Sequence, residues 1–116
     1  MPEESMIWDK SGALSRLAGN EELLKKVMVL FLQQIPEDIA KLQQAIENEQ
    51  YDQVASTAHS IKGVAGNLGA NALLNNAAQM QQLAQQHKLQ ELSDLLAQIR
   101  VDEVHIRERF TAYLNA

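Results

Sequence analysis

From Asn20 to the end of the chain, apolar side chains return at steps of three and four residues, a period that one face of an α-helix satisfies and a strand does not. Only two prolines and five glycines interrupt 116 residues. Strand formers are thin beside Ala, Leu, Gln, Glu and Lys, so the chain reads as all-α. Its length suits a single domain, residues 1–116, large enough to bury a core without disulfides or metal.

The period divides the chain into helices. A short first helix is expected from Ser11, as its cap, to about Ala18, with Ile7 and Trp8 leading in and Gly19 ending it, as an accessory lid. Asn20 caps a longer helix with Glu21 and Glu22 at the positive end of its dipole. Its stripe is Leu23, Leu24, Val27, Leu30, Phe31, Ile35, Ile39, Leu42 and Ile46, with Met28 a further core candidate. Pro36 removes a backbone donor, which predicts a kink or break near Gln33–Ile35. A third helix spans Tyr51 to Asn67, with Tyr51, Val54, Ala58, Ile61, Ala65 and Leu68 inward and Gly69 closing it. A fourth runs from Asn71 to about His87 on Leu73, Ala77, Met80 and Ala84. The last, Leu89–Leu114, uses Leu92, Leu96, Ile99, Ile106, Phe110 and Tyr113, and Glu103 sits on that stripe where the helix is expected to twist or loosen. Four amphipathic helices on short connections predict an antiparallel up-and-down four-helix bundle with a short additional N-terminal helix.

Composition narrows the function classes. There is no cysteine, hence no thiolate metal site or thiol nucleophile, in keeping with a cytoplasmic setting. Fifteen acidic against ten basic residues give a net charge of −5, with no basic run to follow a phosphate backbone, which argues against nucleic-acid binding. Neither a membrane span nor a signal peptide is read, and no membrane contact is expected from this segment. His59, His87 and His105 lie on different helical segments with no i, i+4 pair, so no metal is expected; His87 and His105 read as structural or solvated.

The stretch HSIKGVAGNLG, residues 59–69, breaks the pattern. Glycine inside a helix costs about 1 kcal/mol against alanine, yet Gly63 and Gly66 lie four and seven residues beyond His59. His59 follows core residue Ala58 and so stands about 100° around the helix, on a flank open to solvent. Its neighbours there are Ala55, Ser56, Lys62 and Gly63, with Gly66 one turn on; apart from Lys62 none has bulk. The glycines make room for a partner to approach the imidazole. An exposed neutral imidazole is a nucleophile that needs no general base, provided its other N–H is held. Phosphoryl transfer suits it: the product gains up to about two negative charges, and the Lys62 ammonium can offset part of them. Gln81 follows core residue Met80 as His59 follows Ala58, which nominates Gln81 as the acceptor that orients the ring, with Gln82 and Gln85 as alternatives.

AHSIKGVAGNLGA, residues 58–70, resembles the phosphoacceptor motif of histidine-containing phosphotransfer (HPt) domains of multistep two-component phosphorelays, and the likeness extends upstream through LAGNEELLKKVMVLFLQQIPEDIAKLQQAI. The resemblance implies that His59 is the phosphorylated residue, that Lys62 supports the phosphoryl group, that Gly63 gives access and that Gln81 steadies the ring. Residue 61 is Ile where the family more often has Leu. It also implies a four-helix bundle with an extra N-terminal helix. The implied partners are response-regulator receiver domains, which carry the phospho-aspartate and Mg²⁺, and a hybrid sensor histidine kinase. The chain itself would need no cofactor and act as a monomeric carrier. It shows no glycine-rich nucleotide loop, so it is not expected to be an ATP-dependent kinase. Docking is expected around His59 on the helices bearing His59 and Gln81, with Leu14 and Leu17 contributing. The competing reading is a helical adaptor that docks a signalling partner through the same flank without accepting phosphate.

Overall fold

Asn20 starts the longest helix by accepting a hydrogen bond from the Leu23 amide on its side-chain oxygen at 3.0 Å. In the computed structural model, which describes residues 4–116, that helix is α3, Glu21–Glu47; it is preceded by α1, Glu4–Ile7, and α2, Lys10–Arg16. It is followed by α4, Tyr51–Leu68, α5, Asn71–Gln85, and α6, Leu89–Leu114. Helix α4 packs on α3 and α5, and α6 closes the bundle against α5 and α3, so the up-and-down arrangement read from the period is the one observed. The N-terminal addition is two short helices where one was expected. Asp9, not Ser11, is the cap of α2, accepting from the Gly12 amide at 3.1 Å, and α2 ends at Arg16. Helix α5 stops at Gln85, two residues before His87.

The connections explain why the helices stop where they do. After α3, α4 and α5 one residue takes the left-handed conformation, Glu49 (φ 52°), Gly69 (φ 77°) and His87 (φ 54°). The next amide then folds back on the helix: Gln50 N–H to Ala45 at 2.8 Å, Ala70 N–H to Ala65 at 2.9 Å and Lys88 N–H to Leu83 at 3.1 Å. These are three Schellman turns, which satisfy orphan carbonyls of each last turn.

The core is the set of inward stripes, with Met28, Phe31 and Ile35 of α3, Ala58 and Ile61 of α4, Met80 of α5 and Phe110 of α6 all buried. Two members of the α3 stripe read from sequence are not in it. Leu23 and Leu30 are exposed, Leu30 by 63%. Each precedes a core residue, Leu24 or Phe31, and so lies about 100° off the buried line.

Pro36 does not break α3. Its missing N–H would have bonded the Leu32 carbonyl; the Arg107 guanidinium of α6 donates to that oxygen instead, at 3.4 Å, while a second contact pairs it with Glu103 at 2.6 Å. Nor does α6 loosen at Glu103. The stripe position belongs to Asp102, whose buried carboxylate accepts from Asn76 at 2.6 Å and from Gln98 at 3.2 Å.

The N-terminal segment is built into the bundle and is no lid. Trp8 Nε1 donates to the Leu68 carbonyl at 2.9 Å, the Asp9 amide to the Gly69 carbonyl at 2.8 Å, and Asn71 Nδ2 to the Ser5 carbonyl at 3.1 Å. The Trp8 ring meets Phe110 and Tyr113 edge-on at 5.1 and 5.4 Å. Arg109 holds Glu4 through two bonds of 2.7 and 3.1 Å, which keeps the Glu4 carboxyl below the ordinary glutamate value. Gly69 is where this segment and the end of α4 meet. A Cβ there would collide with the Asp9 backbone carbonyl, and φ already disfavours one. Gly69 is thus both a helix end and a contact residue.

Candidate functional site

His59 stands on the outer face of α4, exposed, with core residues Ala58 and Ile61 holding the helix beneath it. Its flank is as bare as the sequence implies. Ala55 is half-buried and Ser56 exposed; Ser60 Oγ turns back to the Ser56 carbonyl at 3.3 Å and leaves the histidine alone. Lys62, three residues on, is half-buried.

The two glycines differ. A Cβ placed on Gly63 would find no atom within 4 Å, so nothing inside the chain requires glycine at this helical position. A Cβ on Gly66 would meet Leu74 Cδ1 of α5 at 3.7 Å, an ordinary contact. Gly66 therefore lies toward the α4–α5 seam and Gly63 toward solvent.

Two contacts lie along that seam. Gly66 faces Leu74, and the Tyr51 ring stacks on His87 at 4.2 Å and 7°. Seven residues back from Gly66 is His59, and seven ahead of Leu74 is Gln81. Carried along antiparallel helices of equal rise, the Gly66–Leu74 contact leads from His59 to Gln81, which is half-buried, whereas the Tyr51–His87 stack at the turn end, counted the same way, leads to Gln79. Among the described residues no side-chain hydrogen bond joins His59, Lys62 and Gln81 to one another. The sequence model of the Hpt domain matches residues 26–115, from the second turn of α3 through the end of α6. This chain belongs to the Hpt domain family.

Membership gives this Hpt domain its function, histidine phosphotransfer in a two-component phosphorelay. The fold agrees with two solved structures. Histidine-containing phosphotransfer protein B (HptB) from Pseudomonas aeruginosa PAO1 superposes with a TM-score of 0.87 at 22% identity, covering 93% of this chain and 94% of that one. The HPT domain of the Hpt sensor hybrid histidine kinase from Shewanella gives 0.84 at 13% identity, with 97% of each chain covered. No curated protein sequence matches this Hpt domain significantly.

One part of the surroundings was not foreseen. None of the exposed large apolar side chains is on α5; Val64 is on α4, and Leu23, Val29 and Leu30 are on α3, of which Leu30 lies beside α4. Val27, Leu30, Phe31, Ile61 and Val64 line a groove of about 460 Å³ between α3 and α4. The sign was present in the sequence as two leucines on the edge of an otherwise regular stripe. Leu14 and Leu17 are half-buried against the core, with only part of each side chain left for a partner. No helix of the described residues is long and apolar enough to cross a membrane.

Proposed function

We propose that His59 is the phosphoacceptor of this Hpt domain and that it exchanges the phosphoryl group with the aspartate of a receiver domain. The outward imidazole nitrogen attacks the phosphorus of the acyl phosphate; the N–P bond forms, the acyl O–P bond breaks, and the carboxylate leaves. The imidazole keeps its other proton, and the reverse step returns the group to a second receiver. Gln81 is assigned to hold that remaining N–H, a role supported by its register opposite His59. Lys62 faces the added charge from one turn away; a charge pair at 4 Å with surface-like screening is worth on the order of 1 to 4 kcal/mol. The partner's Mg²⁺ supplies the remaining neutralisation, and the chain, with no nucleotide loop, acts as carrier and not as kinase.

The observation that carries this reading is Gly63. A solvent-facing helical glycine with open space around its missing side chain weakens the helix for no gain within the chain. It makes sense as clearance for a protein that must bring an aspartyl phosphate up to His59. We place the docking face over His59, Gly63 and Ser56, reaching the apolar edge of Leu30 and Val64, with Ala55 and Gly66 at its α5 border. We also assign the chain a monomeric state and a cytoplasmic site of action, where receivers operate.

Incubation with a phosphorylated receiver tests the reading. The chain is expected to take up phosphate that is stable in alkali and lost in acid, as a phosphoramidate is and an acyl phosphate or phosphoserine is not. A receiver that binds without passing on its phosphate would favour the adaptor function instead.

A further inference from the structure

Away from His59, the chain holds a mostly apolar cavity with a polar end that phosphotransfer does not use. It is a space of about 270 Å³ between α1, α5 and α6. At its wall is Asp102, a carboxylate only 6% exposed. Asn76 and Gln98, which also line it, each donate one amide hydrogen bond to that carboxylate. Both donors are neutral. Among the described residues the ion pairs are Lys88–Glu91, Arg107–Glu103 and Arg109–Glu4, and none involves Asp102.

A carboxylate offers about four acceptor positions, and a buried one without a counter-charge is costly. Two positions are used, and the rest of the wall is suited to a particular shape. Asn75 adds a carboxamide beside Asn76 and Gln98, whose oxygens can accept further N–H bonds, while Met6, Ile7 and Ile106 give an apolar approach. No group of three or more described His, Asp or Glu side chains converges there to hold a metal ion. His105 also lines the wall, and its ring offers one nitrogen as a further acceptor; an organic cation with several N–H donors and an aliphatic stem matches Asp102, these acceptors and the apolar approach.

We propose that the cavity between α1, α5 and α6 binds a guanidinium or ammonium group carried on a short aliphatic stem, with Asp102 as its counter-charge. The donors of the cation complete the acceptor positions of Asp102, and the stem lies along Met6 and Ile106 toward solvent. The group could belong to a free small molecule or to a basic side chain of another protein; the chemistry of the head is the same.

Chemical-shift titration of the full chain decides the matter. Butylguanidinium and butylammonium are the probes, and butylurea is the uncharged control of matching shape. Saturable shifts of the Asn75, Asn76 and Asp102 amides by about 10 mM cation, with butylurea at least about tenfold weaker, are expected. Asp102→Asn should weaken the cation about tenfold or more. Ala72→Leu, which adds bulk to the α5 wall of the cavity and leaves Asp102 in the chain, should do the same and covers the case in which Asp102→Asn fails to fold. N-acetylarginine methylamide, compared with butylguanidinium, separates the sources: tighter binding of the former assigns a protein side chain, tighter binding of the latter a free ligand. Equal binding of butylurea, or shifts unchanged by Ala72→Leu, would overturn the proposal.

Discussion

Gly63→Gln is expected to slow phosphoryl transfer from a phosphorylated receiver by about a hundredfold or more while leaving the bundle folded and slightly more stable. Residue 63 is four positions from His59 and so lies one turn along the same face. A glutamine side chain there would stand between the imidazole and any protein surface approaching it. In-line attack tolerates little displacement, and an ångström of misplacement can cost about a hundredfold. The stability term has the opposite sign. The position is helical with nothing within 4 Å of an added Cβ, so glutamine gains about 0.5 kcal/mol of helix propensity over glycine. Rapid-quench transfer assays and urea denaturation on the same preparation check both halves. Normal transfer in a folded variant would remove the access argument.

Gly69→Ala carries the largest expected loss of stability, about 3 kcal/mol, with a fall in Tm of roughly 10–15 °C. Part of it is conformational, since a left-handed non-glycine residue costs about 1–2 kcal/mol. The rest comes from the new methyl group, which would push on the Asp9 carbonyl and shift the segment that Trp8 Nε1 and the Asp9 amide tie to the end of α4. Each bond lost there is worth about 1 kcal/mol. Gly19→Ala is the control: Gly19 has the same φ of 77° with nothing within 4 Å, so it should show the conformational part alone. Trp8, the sole tryptophan, reports displacement of the segment through its fluorescence. Equal losses in the two variants would show that the N-terminal clamp adds nothing.

The helical period made α4 and α6 readable almost to the residue, because their stripes are buried on one side only and end in recognisable signals. It misplaced the polar residue of α6 because the step from Ile99 to Ile106 can be divided as three and four or as four and three. Asp102 and Glu103 fit equally well until Asn76, on another helix, selects Asp102. The intact α3 was illegible for the same kind of reason. Pro36 announces a lost bond, but the donor that replaces it, Arg107, lies far along the chain. The N-terminal clamp likewise rests on contacts such as Trp8 to Leu68, which local patterning does not encode. His59 was singled out through an anomaly, glycines where a helix should not want them. The nomination of Gln81 came from hairpin register, and the apolar edge on α3 did not follow from it.

Locating the phosphate on the wild-type chain tests the central claim most directly. After transfer from a phosphorylated receiver, ³¹P NMR and mass spectrometry of peptides kept at alkaline pH should find one phosphoramidate, on His59, with none on His87 or His105 and none in a His59→Gln variant. A phosphoryl group on any other residue, or full labelling of that variant, would contradict the account.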